Sequence, residues 1–425
     1  MGNRKRKHRE SLFWLEAAFI VLLLAGAYVI GSYARAKQND SLQEVFVADH
    51  GTNVVEVTDA QGTITGSEVV DYDELISDYR NILLVGVDAR DQKRIDKGAN
   101  ADVIMIVSIN ESTGKIRLIS VLRDTLLRLE NPGSYHKGRL YDKANSQLCY
   151  TDIADMISMI NRNLDLNIKD YIVLNWLAAA QVVDTLGGIE VSIENPEVVR
   201  YMNGYLTEVN QQTGIWSEQL DAAQVVDTLG GIEVSIENPE VIRYMNGYLT
   251  EVNQQTGIWS EQLDGSGTYN LTGTQAVAFC RVRYAGLGDV GRTGNQRMII
   301  ERCLKKVKEL ILTKPTTVVR AVSIGMDSIA TNLSMLELGN LAFQAGDFEI
   351  EESISFPFQY EAGEYLGQIY DLTKGVKDAV VARELADNVV QLHAYLYPEA
   401  AYAYHLPEEI KRISEDIAWM SDVKK

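Results

Sequence analysis

The sequence predicts an α/β fold that one N-terminal helix anchors in a membrane, and two features carry this prediction. Residues 82–87, 103–109 and 116–122 form apolar runs with the length and composition of buried strands. Residues 12–33 are almost wholly apolar, and their length matches the ~20 residues that cross a bilayer as a helix. A sheet-forming domain behind a single anchor follows from these two features.

The anchor has a predicted orientation. Residues 1–10 include five Lys or Arg residues, so the positive-inside rule places the N-terminus in the cytoplasm and the rest of the chain outside the cell. A cleaved signal peptide is the alternative, but the apolar run exceeds the usual hydrophobic region and no clear small-x-small cleavage site follows. We therefore expect a cytoplasmic tail at 1–11, a transmembrane anchor at 12–34 and an extracellular polar linker at 35–78.

Composition excludes several classes of protein. The chain of 425 residues has a formal net charge of −19 at pH 7, which opposes nucleic-acid binding. Its three cysteines, Cys149, Cys280 and Cys303, are too few for a disulfide framework or a typical zinc site. No histidine lies near Cys280 in the sequence to activate it, so all three are interpreted as buried small residues.

Charged residues flank the three apolar runs. Asp88 and Arg90 follow the first run, Asp102 precedes the second, and Arg123 and Asp124 follow the third. If the strands run up, down and up, all five residues meet at one edge of the sheet, where ligands of α/β proteins commonly bind. Carboxylates gathered with arginines suggest a Mg²⁺ or Mn²⁺ ion and a polyphosphate. The alternative is that these charges merely solvate the strand ends.

A second charged segment, 281–297, stands out against the acidic background. Arginine offers a rigid fork of donors that fits phosphate oxygens. Gly288 and Gly291 are predicted to bracket a turn, with a helix starting near Arg292 and placing Gln296 on the same face. A solvated basic turn is the alternative. The arginines of the segment are Arg281, Arg283, Arg292 and Arg297.

A repeat interrupts the chain between these two charged regions. Residues 179–221 recur at 222–264, and the copies differ only at Val199 and Ile242. Within the first copy, residues 188–194 alternate like a strand. We expect the sheet to offer one position for this strand, so one copy should occupy it and the other should protrude or pack poorly.

Taken in order, the motifs resemble the LytR-CpsA-Psr family of cell-wall glycopolymer ligases over residues 79–312. The resemblance implies a three-layer α-β-α domain with a mixed central sheet. It also implies transfer of an anionic glycopolymer, such as a teichoic acid or capsule polymer, with one phosphate from a polyprenyl pyrophosphate carrier to a peptidoglycan hydroxyl. The motifs include GVDAR (86–90), VLRDT (121–125), YDKAN (141–145), LTGTQAVAFCRVRY (271–284) and GDVGRTGNQR (288–297).

The resemblance also implies roles for individual residues. Asp88 and Asp102 correspond to the ligands of a magnesium ion, with manganese as the alternative. Asp124 either orients Arg123 or serves as a base. Arg123, Asp124, Arg281 and Arg283 are the implied catalytic residues. The implied pyrophosphate-binding residues are Arg90, Arg123, Arg281, Arg283, Arg292 and Gln296.

This sequence departs from the family pattern at two positions. Asn100 and Asn295 stand where the family often has arginine, which weakens phosphate neutralisation. A non-catalytic protein that binds polyprenyl phosphate or glycopolymer is therefore one alternative, and a polyprenyl pyrophosphatase is another. A prenyl groove is implied as well. Apolar helix faces at 152–160 and 298–312 are candidates for it, with core packing as the alternative.

The C-terminal region, 313–425, is predicted to be an α/β extension that packs on the same domain. The patterns at 334–345 and 374–397 indicate helices, and residues 348–356 indicate a strand. Mixed charges at 407–425 are typical of a surface helix. We find no catalytic pattern in this region.

Overall fold

A computed structural model describes most of the region that follows the expected anchor. The described residues are 45–58, 64–87, 95–131, 140–193, 198–199, 201–202, 267–271, 276, 279–280, 282, 288–361 and 379–421. The predicted anchor at 12–34 lies outside them. Within the described residues, none of the helices combines the length and the apolar composition needed to cross a membrane.

Strands and helices are interspersed along the chain. The strands are β1 (Thr52–Thr58), β2 (Ile64–Asp71), β3 (Tyr79–Val87), β4 (Ala101–Asn110), β5 (Lys115–Val121), β6 (Leu126–Arg128), β7 (Tyr141–Lys143), β8 (Asp170–Asn175), β9 (Ile189–Ile193), β10 (Gly267–Leu271), β11 (Ile329–Thr331), β12 (Glu349–Phe356), β13 (Tyr360–Glu361) and β14 (Val381–Ala382). The α-helices are α1 (Tyr72–Leu75), α2 (Gln147–Tyr150), α3 (Ile153–Leu164), α4 (Trp176–Thr185), α5 (Gly288–Thr313), α6 (Pro315–Ser328), α7 (Met335–Gln344), α8 (Leu385–Leu396) and α9 (Glu408–Ser421).

The central sheet is mixed, as predicted. Among the described residues its strand order is β11-β8-β3-β4-β5-β12. The pairs β3/β4 and β4/β5 are antiparallel, whereas β3/β8 and β5/β12 are parallel. The predicted up, down and up course of β3, β4 and β5 is therefore confirmed. It brings the start of β4 and the end of β5 to the same edge.

Helices cover both faces of the sheet. Leu83, Val85 and Ile106 point to one face and pack with residues of α3, α8 and α9. Ile82 and Met105 point to the other face, where α5 and α7 pack. The two sets alternate along the strands because successive side chains of a strand point to opposite faces. The apolar face predicted near 152–160 belongs to α3 and is used for core packing.

The expected linker at 35–78 needs a correction over its described part, residues 45–58 and 64–78. Tyr72 and Ile76 are buried in the main core, and Ala48 is buried nearby. The same segment also contains regular structure, since β1 pairs with β2. Tyr72 joins the core because its ring packs against residues far along the chain, a contact that local composition does not reveal.

The C-terminal region contributes both to the sheet and to a helical layer. The predicted strand at 348–356 is confirmed as β12, at the sheet edge beside β5. The predicted helix at 334–345 is confirmed as α7. The helix predicted at 374–397 is wrong at 379–384, where β14 pairs with β13, and α8 begins at Leu385. The surface helix expected in the tail is α9.

The first copy of the repeat contributes regular structure. Its strand β9 alternates between buried and exposed residues and pairs with β10, which follows the second copy. The burial pattern confirms the alternating strand predicted within 188–194. The expectation that this strand joins the central sheet is wrong, because β9 and β10 form a separate two-stranded sheet. The second copy, 222–264, lies outside the described residues.

Candidate functional site

A tight turn at the end of β5 presents the first two site residues. The Thr125 hydroxyl donates a hydrogen bond to the Leu122 carbonyl oxygen (2.6 Å), and the Thr125 amide donates to the same oxygen (2.9 Å). Thr125 is fully buried, so this residue anchors the turn from within. Arg123 and Asp124 lie between these anchors and remain partly exposed.

Arg123 is surrounded by carboxylates. Its Nη1 donates to Asp102 Oδ1, and its Nε lies 3.5 Å from Asp124 Oδ2. Burial acts to lower the pKa of Arg123, but the charges of Asp124, Asp102 and Asp289 outweigh it and raise the pKa above the ordinary value. The structure thus brings together Asp102, Arg123 and Asp124, as the sequence predicts.

Lys143 also belongs to this site, although the analysis of strand ends did not select it. Its Nζ lies 3.2 Å from Asp124 Oδ1. The Ala144 amide donates to the Thr125 carbonyl oxygen (2.8 Å), and the Asn145 amide donates to the Arg123 carbonyl oxygen (2.9 Å). These bonds hold the YDKAN segment against the turn. Its presence among the quoted motifs was the signal that could have identified Lys143.

The N-terminal turn of α5 forms another side of the site. The helix begins at Gly288, so the predicted turn at Gly288 and Gly291 is wrong, and both residues lie within the helix. The polar residues 292–297 are also helical, because α5 packs there against the edge strand β12, where Thr293 and Arg297 contact Ser355. Arg292 is 3% exposed, and its Nη2 lies 2.8 Å from Asp289 Oδ1. The helix contacts β5 and β12, and the charge of Asp289 helps to raise the pKa of Arg123, so the start of α5 lies beside the β5 turn.

Gln296 and Asn295 connect α5 to the segment that precedes it. Gln296 is buried, and its Nε2 donates to the Cys280 carbonyl oxygen at 3.4 Å. Its Oε1 is buried without a hydrogen-bond partner among the described residues. Asn295 Nδ2 donates to the Phe279 carbonyl oxygen at 3.2 Å, so this departure from the family pattern makes a structural contact. A buried oxygen atom that lacks a hydrogen-bond partner lowers the stability of the folded protein.

Arg297 does not join the arginines of the site. Its Nη1 donates to Ser355 Oγ (3.0 Å), and Thr293 Oγ1 lies 3.2 Å from the same oxygen. One turn further on, Ser353 Oγ donates to Glu301 Oε1 (3.1 Å). Burial lowers the pKa of Arg297. These contacts dock α5 along strand β12, so Arg297 faces the strand.

The remaining predicted site residues, Asp88, Arg90, Arg281 and Arg283, lie outside the described residues. Val282 is described: it is buried, and it packs in one cluster with Phe279 and with Ile299 of α5.

The two cysteines near the site are poor nucleophiles. Burial raises the pKa of Cys280 and of Cys303 to about 12, so both thiols stay protonated at neutral pH. Both pack with apolar neighbours as small residues, although they are partly rather than fully buried.

The apolar layer between the sheet and α5 is less complete than the layer on the other face. On the α5 side, apolar residues of the helix at spacings of three and four positions are only partly buried against the sheet, and they meet partly buried strand residues. On the α3 side, most of the corresponding strand residues are fully buried. We refer to these partly buried apolar residues as the accessible apolar strip along α5. Its members include Ile300, Leu304, Val307 and Ile311 of α5, and Leu84, Val103, Val107 and Ile172 of the sheet.

Curated relatives match part of the chain. The polyisoprenyl-teichoic acid–peptidoglycan teichoic acid transferase TagT of Bacillus subtilis is 25% identical over 203 residues, which cover 47% of this chain and 57% of the relative. Biofilm regulatory protein A of Streptococcus mutans is 25% identical over 314 residues, which cover 73% of this chain and 61% of the relative. The chain thus spans less than two thirds of the length of each of these relatives.

A solved structure and a family model complete the comparison. The crystal structure of protein gbs0355 from Streptococcus agalactiae aligns with a TM-score of 0.50 at 19% identity, covering 79% of this chain and 91% of that chain, which shows a shared fold. The model of the LytR_cpsA_psr family matches residues 45–215 and 222–378, well over half of the chain. The order of motifs and this match agree, and the chain belongs to the LytR_cpsA_psr family.

Proposed function

We propose that this protein is a phosphotransferase that moves an anionic glycopolymer, with one phosphate, from a polyprenyl pyrophosphate carrier to a peptidoglycan hydroxyl. Polyprenyl monophosphate is the other product. The observation that carries the proposal is Arg123, held at the sheet edge beside Asp102 and facing the start of α5. The names of relatives such as TagT, a teichoic acid transferase acting on peptidoglycan, support the same class of reaction.

The charges of the site support a metal-dependent reaction. Three cations and three carboxylates pair with one another at the site, so a pyrophosphate group requires further positive charge. The family motifs imply two sources of this charge. One is the set of arginines at 90, 281 and 283, and the other is a divalent cation. The balanced set comprises Arg123, Lys143 and Arg292 against Asp102, Asp124 and Asp289.

Asp102 fits a ligand of Mg²⁺, with Mn²⁺ as the alternative. Its ion pair with Arg123 uses Oδ1, and its side chain is 20% exposed at the start of β4. Carboxylate oxygen is the donor that hard divalent cations prefer. Asp88 is the second ligand by motif. When bound, the ion would neutralise charge on the phosphate oxygens, while Arg123 and Arg292 orient the transferred phosphate.

The accessible strip along α5 supports a polyprenyl donor. It begins close to Arg292 and Gln296 and continues along the helix, so one long molecule could place its anionic group at the site and its apolar chain on the strip. Sites for apolar ligands combine such a lining with a few polar groups.

We further propose that the predicted anchor at 12–34 holds the domain, including the catalytic region 79–312, outside the cell.

Turnover by the full chain tests this function. The protein, reconstituted in vesicles, receives a short-chain polyprenyl pyrophosphate glycan, peptidoglycan oligomers and Mg²⁺, and products are followed by mass spectrometry. Arg123→Ala and Asp102→Ala should each lower turnover by roughly 100-fold or more, as loss of a charge-stabilising group does. EDTA should abolish turnover.

A matched control comes from the opposite end of β3. Arg80 pairs with Asp170 there at 2.6 Å, so Arg80→Ala removes an arginine and an ion pair without touching the site. It should retain wild-type turnover. If both site variants also retained turnover, the assigned roles would be wrong. Bound lipid without product would indicate a binding protein, and glycan phosphate released to water would indicate a pyrophosphatase.

A further inference from the structure

We propose that the corner between α5 and α6 is a docking surface for an anionic lipid bilayer. The surface, called here the basic corner, occupies the last turns of α5, the residue that links the two helices and the first turns of α6. It combines cationic side chains with strongly exposed aliphatic ones. The basic corner consists of Lys305, Lys308, Leu312, Lys314, Val319 and Arg320.

The aliphatic members are exposed to an unusual degree. Leu312 is 87% exposed and Val319 is 54% exposed. On α5, Leu312 shares a face with Lys305 and Lys308, since these residues are spaced by three and four positions. A single exposed leucine needs no explanation, but aliphatic side chains set among lysines are typical of surfaces that lie in a bilayer interface.

The local charge opposes that of the whole chain. Residues 301–320 contain six Lys or Arg residues and two Glu residues, a net charge of +4 in a chain of −19. Each Lys or Arg close to an anionic membrane contributes about 1 kcal/mol of attraction. The rest of the chain would be repelled by such a membrane, so this charge distribution also orients the protein.

A bilayer accounts for both properties of the basic corner. Phospholipid headgroups complement its cations, and the acyl region accepts Leu312 and Val319. An anionic wall polymer would use the cations alone and leave the aliphatic side chains in water. The observations therefore favour the bilayer as occupant.

Docking of the basic corner would also place the apolar strip and the site relative to the membrane, an inference that rests on the proposed function. Arg292 and Leu312 are separated by 20 positions on one helix, a rise of about 30 Å. The accessible apolar strip lies between them on the inner side of α5. Docking would place the end of this strip at the membrane that contains the lipid donor, with the site at the far end.

Environment-sensitive fluorescence on the full chain tests the docking. Single cysteines are introduced by Leu312→Cys or Val319→Cys in a Cys149→Ser background and labelled with NBD. The Cys149→Ser background, labelled in parallel, serves as the blank, because it keeps the partly buried Cys280 and Cys303. The protein is reconstituted in vesicles of phosphatidylcholine, with or without phosphatidylglycerol. Trp419→Cys is the control, because Trp419 is 71% exposed on α9, which packs on the other face of the sheet.

We expect emission from positions 312 and 319 to shift to shorter wavelength and to rise about twofold or more when phosphatidylglycerol is present. Position 419 should not respond, and Lys305→Glu with Lys308→Glu should remove the response. Equal spectra at all three positions would overturn the proposal. A response at position 312 that is the same with and without phosphatidylglycerol would also overturn it. The same holds for a response that soluble polyglutamate produces in phosphatidylcholine vesicles.

Turnover measured on the same vesicles separates the two proposals. A fluorescence response without turnover would uphold the docking and contradict the proposed function. Turnover without a fluorescence response would uphold the proposed function and contradict the docking. The two readouts are independent, because the label reports lipid contact without any donor or acceptor present.

Discussion

Asp124 lies between two cations, an arrangement that favours the orienting role over the role of a base. Arg123 Nε approaches one carboxylate oxygen and Lys143 Nζ the other. A carboxylate engaged on both sides is well placed to orient Arg123 and poorly placed to take a proton. We therefore expect Asp124→Asn, which keeps the shape and an acceptor, to lower turnover by about tenfold or less, whereas loss of a general base costs about 100- to 10,000-fold.

The pH profile of turnover gives an independent check on Asp124. If it only orients Arg123, the profile of Asp124→Asn keeps its wild-type shape at reduced height. Disappearance of an acidic limb in this variant, together with a loss above 100-fold, would identify Asp124 as the base instead.

His393 makes stability depend on pH. It is fully buried, and its ring stacks on Tyr404. Its Nε2 donates a hydrogen bond to the Leu164 carbonyl oxygen (3.1 Å), and its Nδ1 accepts one from Tyr72 Oη (3.0 Å). Burial, with the nearby charge of His50, lowers the pKa of His393 from 6.5 to about 3. Between these values the unfolded chain binds the extra proton, so the free energy of unfolding falls as pH falls, by up to about 1.4 kcal/mol per pH unit.

Chemical denaturation between about pH 6.5 and pH 5 measures this slope. The pKa of the neighbouring Asp165 is raised by burial, so that group acts in the opposite direction toward lower pH. His393→Gln keeps a donor and an acceptor but does not titrate, so it should flatten the slope. His405→Gln, at an exposed position, is the control. An unchanged slope in His393→Gln would refute the assignment.

At the scale of elements, Gly86 allows β3 and β4 to meet beside the site. A Cβ atom at Gly86 would lie 2.7 Å from Val103 Cγ2 and 2.9 Å from Val103 Cβ, distances that force a shift. Asp102 is the neighbour of Val103. Gly86→Ala should therefore lower the free energy of unfolding by about 1–3 kcal/mol, and it should also lower turnover by displacing Asp102.

Gly339 supplies the matched control for Gly86. It lies inside α7, and a Cβ atom there would meet nothing within 4 Å. Gly339→Ala should raise the free energy of unfolding by about 0.5–1 kcal/mol, because alanine loses less conformational entropy in a helix. Equal effects of the two substitutions in urea denaturation would contradict the steric account of Gly86.

At the scale of the whole molecule, the repeat offers a test of the fold. Strand β9 comes from the first copy, and deletion of residues 179–221 brings the second copy into the same position in sequence. We expect the deleted chain to fold with unchanged or higher stability and to keep its turnover. Failure of the deleted chain to fold would show that both copies are needed.

Deletion of residues 222–264 instead provides a second variant for comparison. The two deleted chains have the same sequence except at one position, which is Ile from the second copy or Val199 from the first. Val199 is fully buried in the cluster that contains β9 and β10. One added methylene there should change the free energy of unfolding by less than about 1.5 kcal/mol.

Much of the site and sheet was predictable, because each relevant feature is local. The strands β3, β4 and β5 are apolar runs, and the charges at their ends identified Asp102, Arg123 and Asp124. What could not be predicted depends on contacts between distant segments. Tyr72 belongs to the core through residues more than 300 positions away. Lys143 and Asp289 belong to the site through the packing of β7 and α5 beside the β5 turn.

By itself, the sequence determined the mixed sheet, the polar edge where Asp102 and Arg123 meet and the family, since composition, alternation and motif order are properties of the chain. Only the tertiary structure decided which partner each charge takes. It turned Arg297 toward Ser355, set Asp124 between two cations and left Gln296 Oε1 buried without a partner among the described residues. The physical reason is that hydrogen bonds and burial depend on distances between segments, which local patterns do not specify.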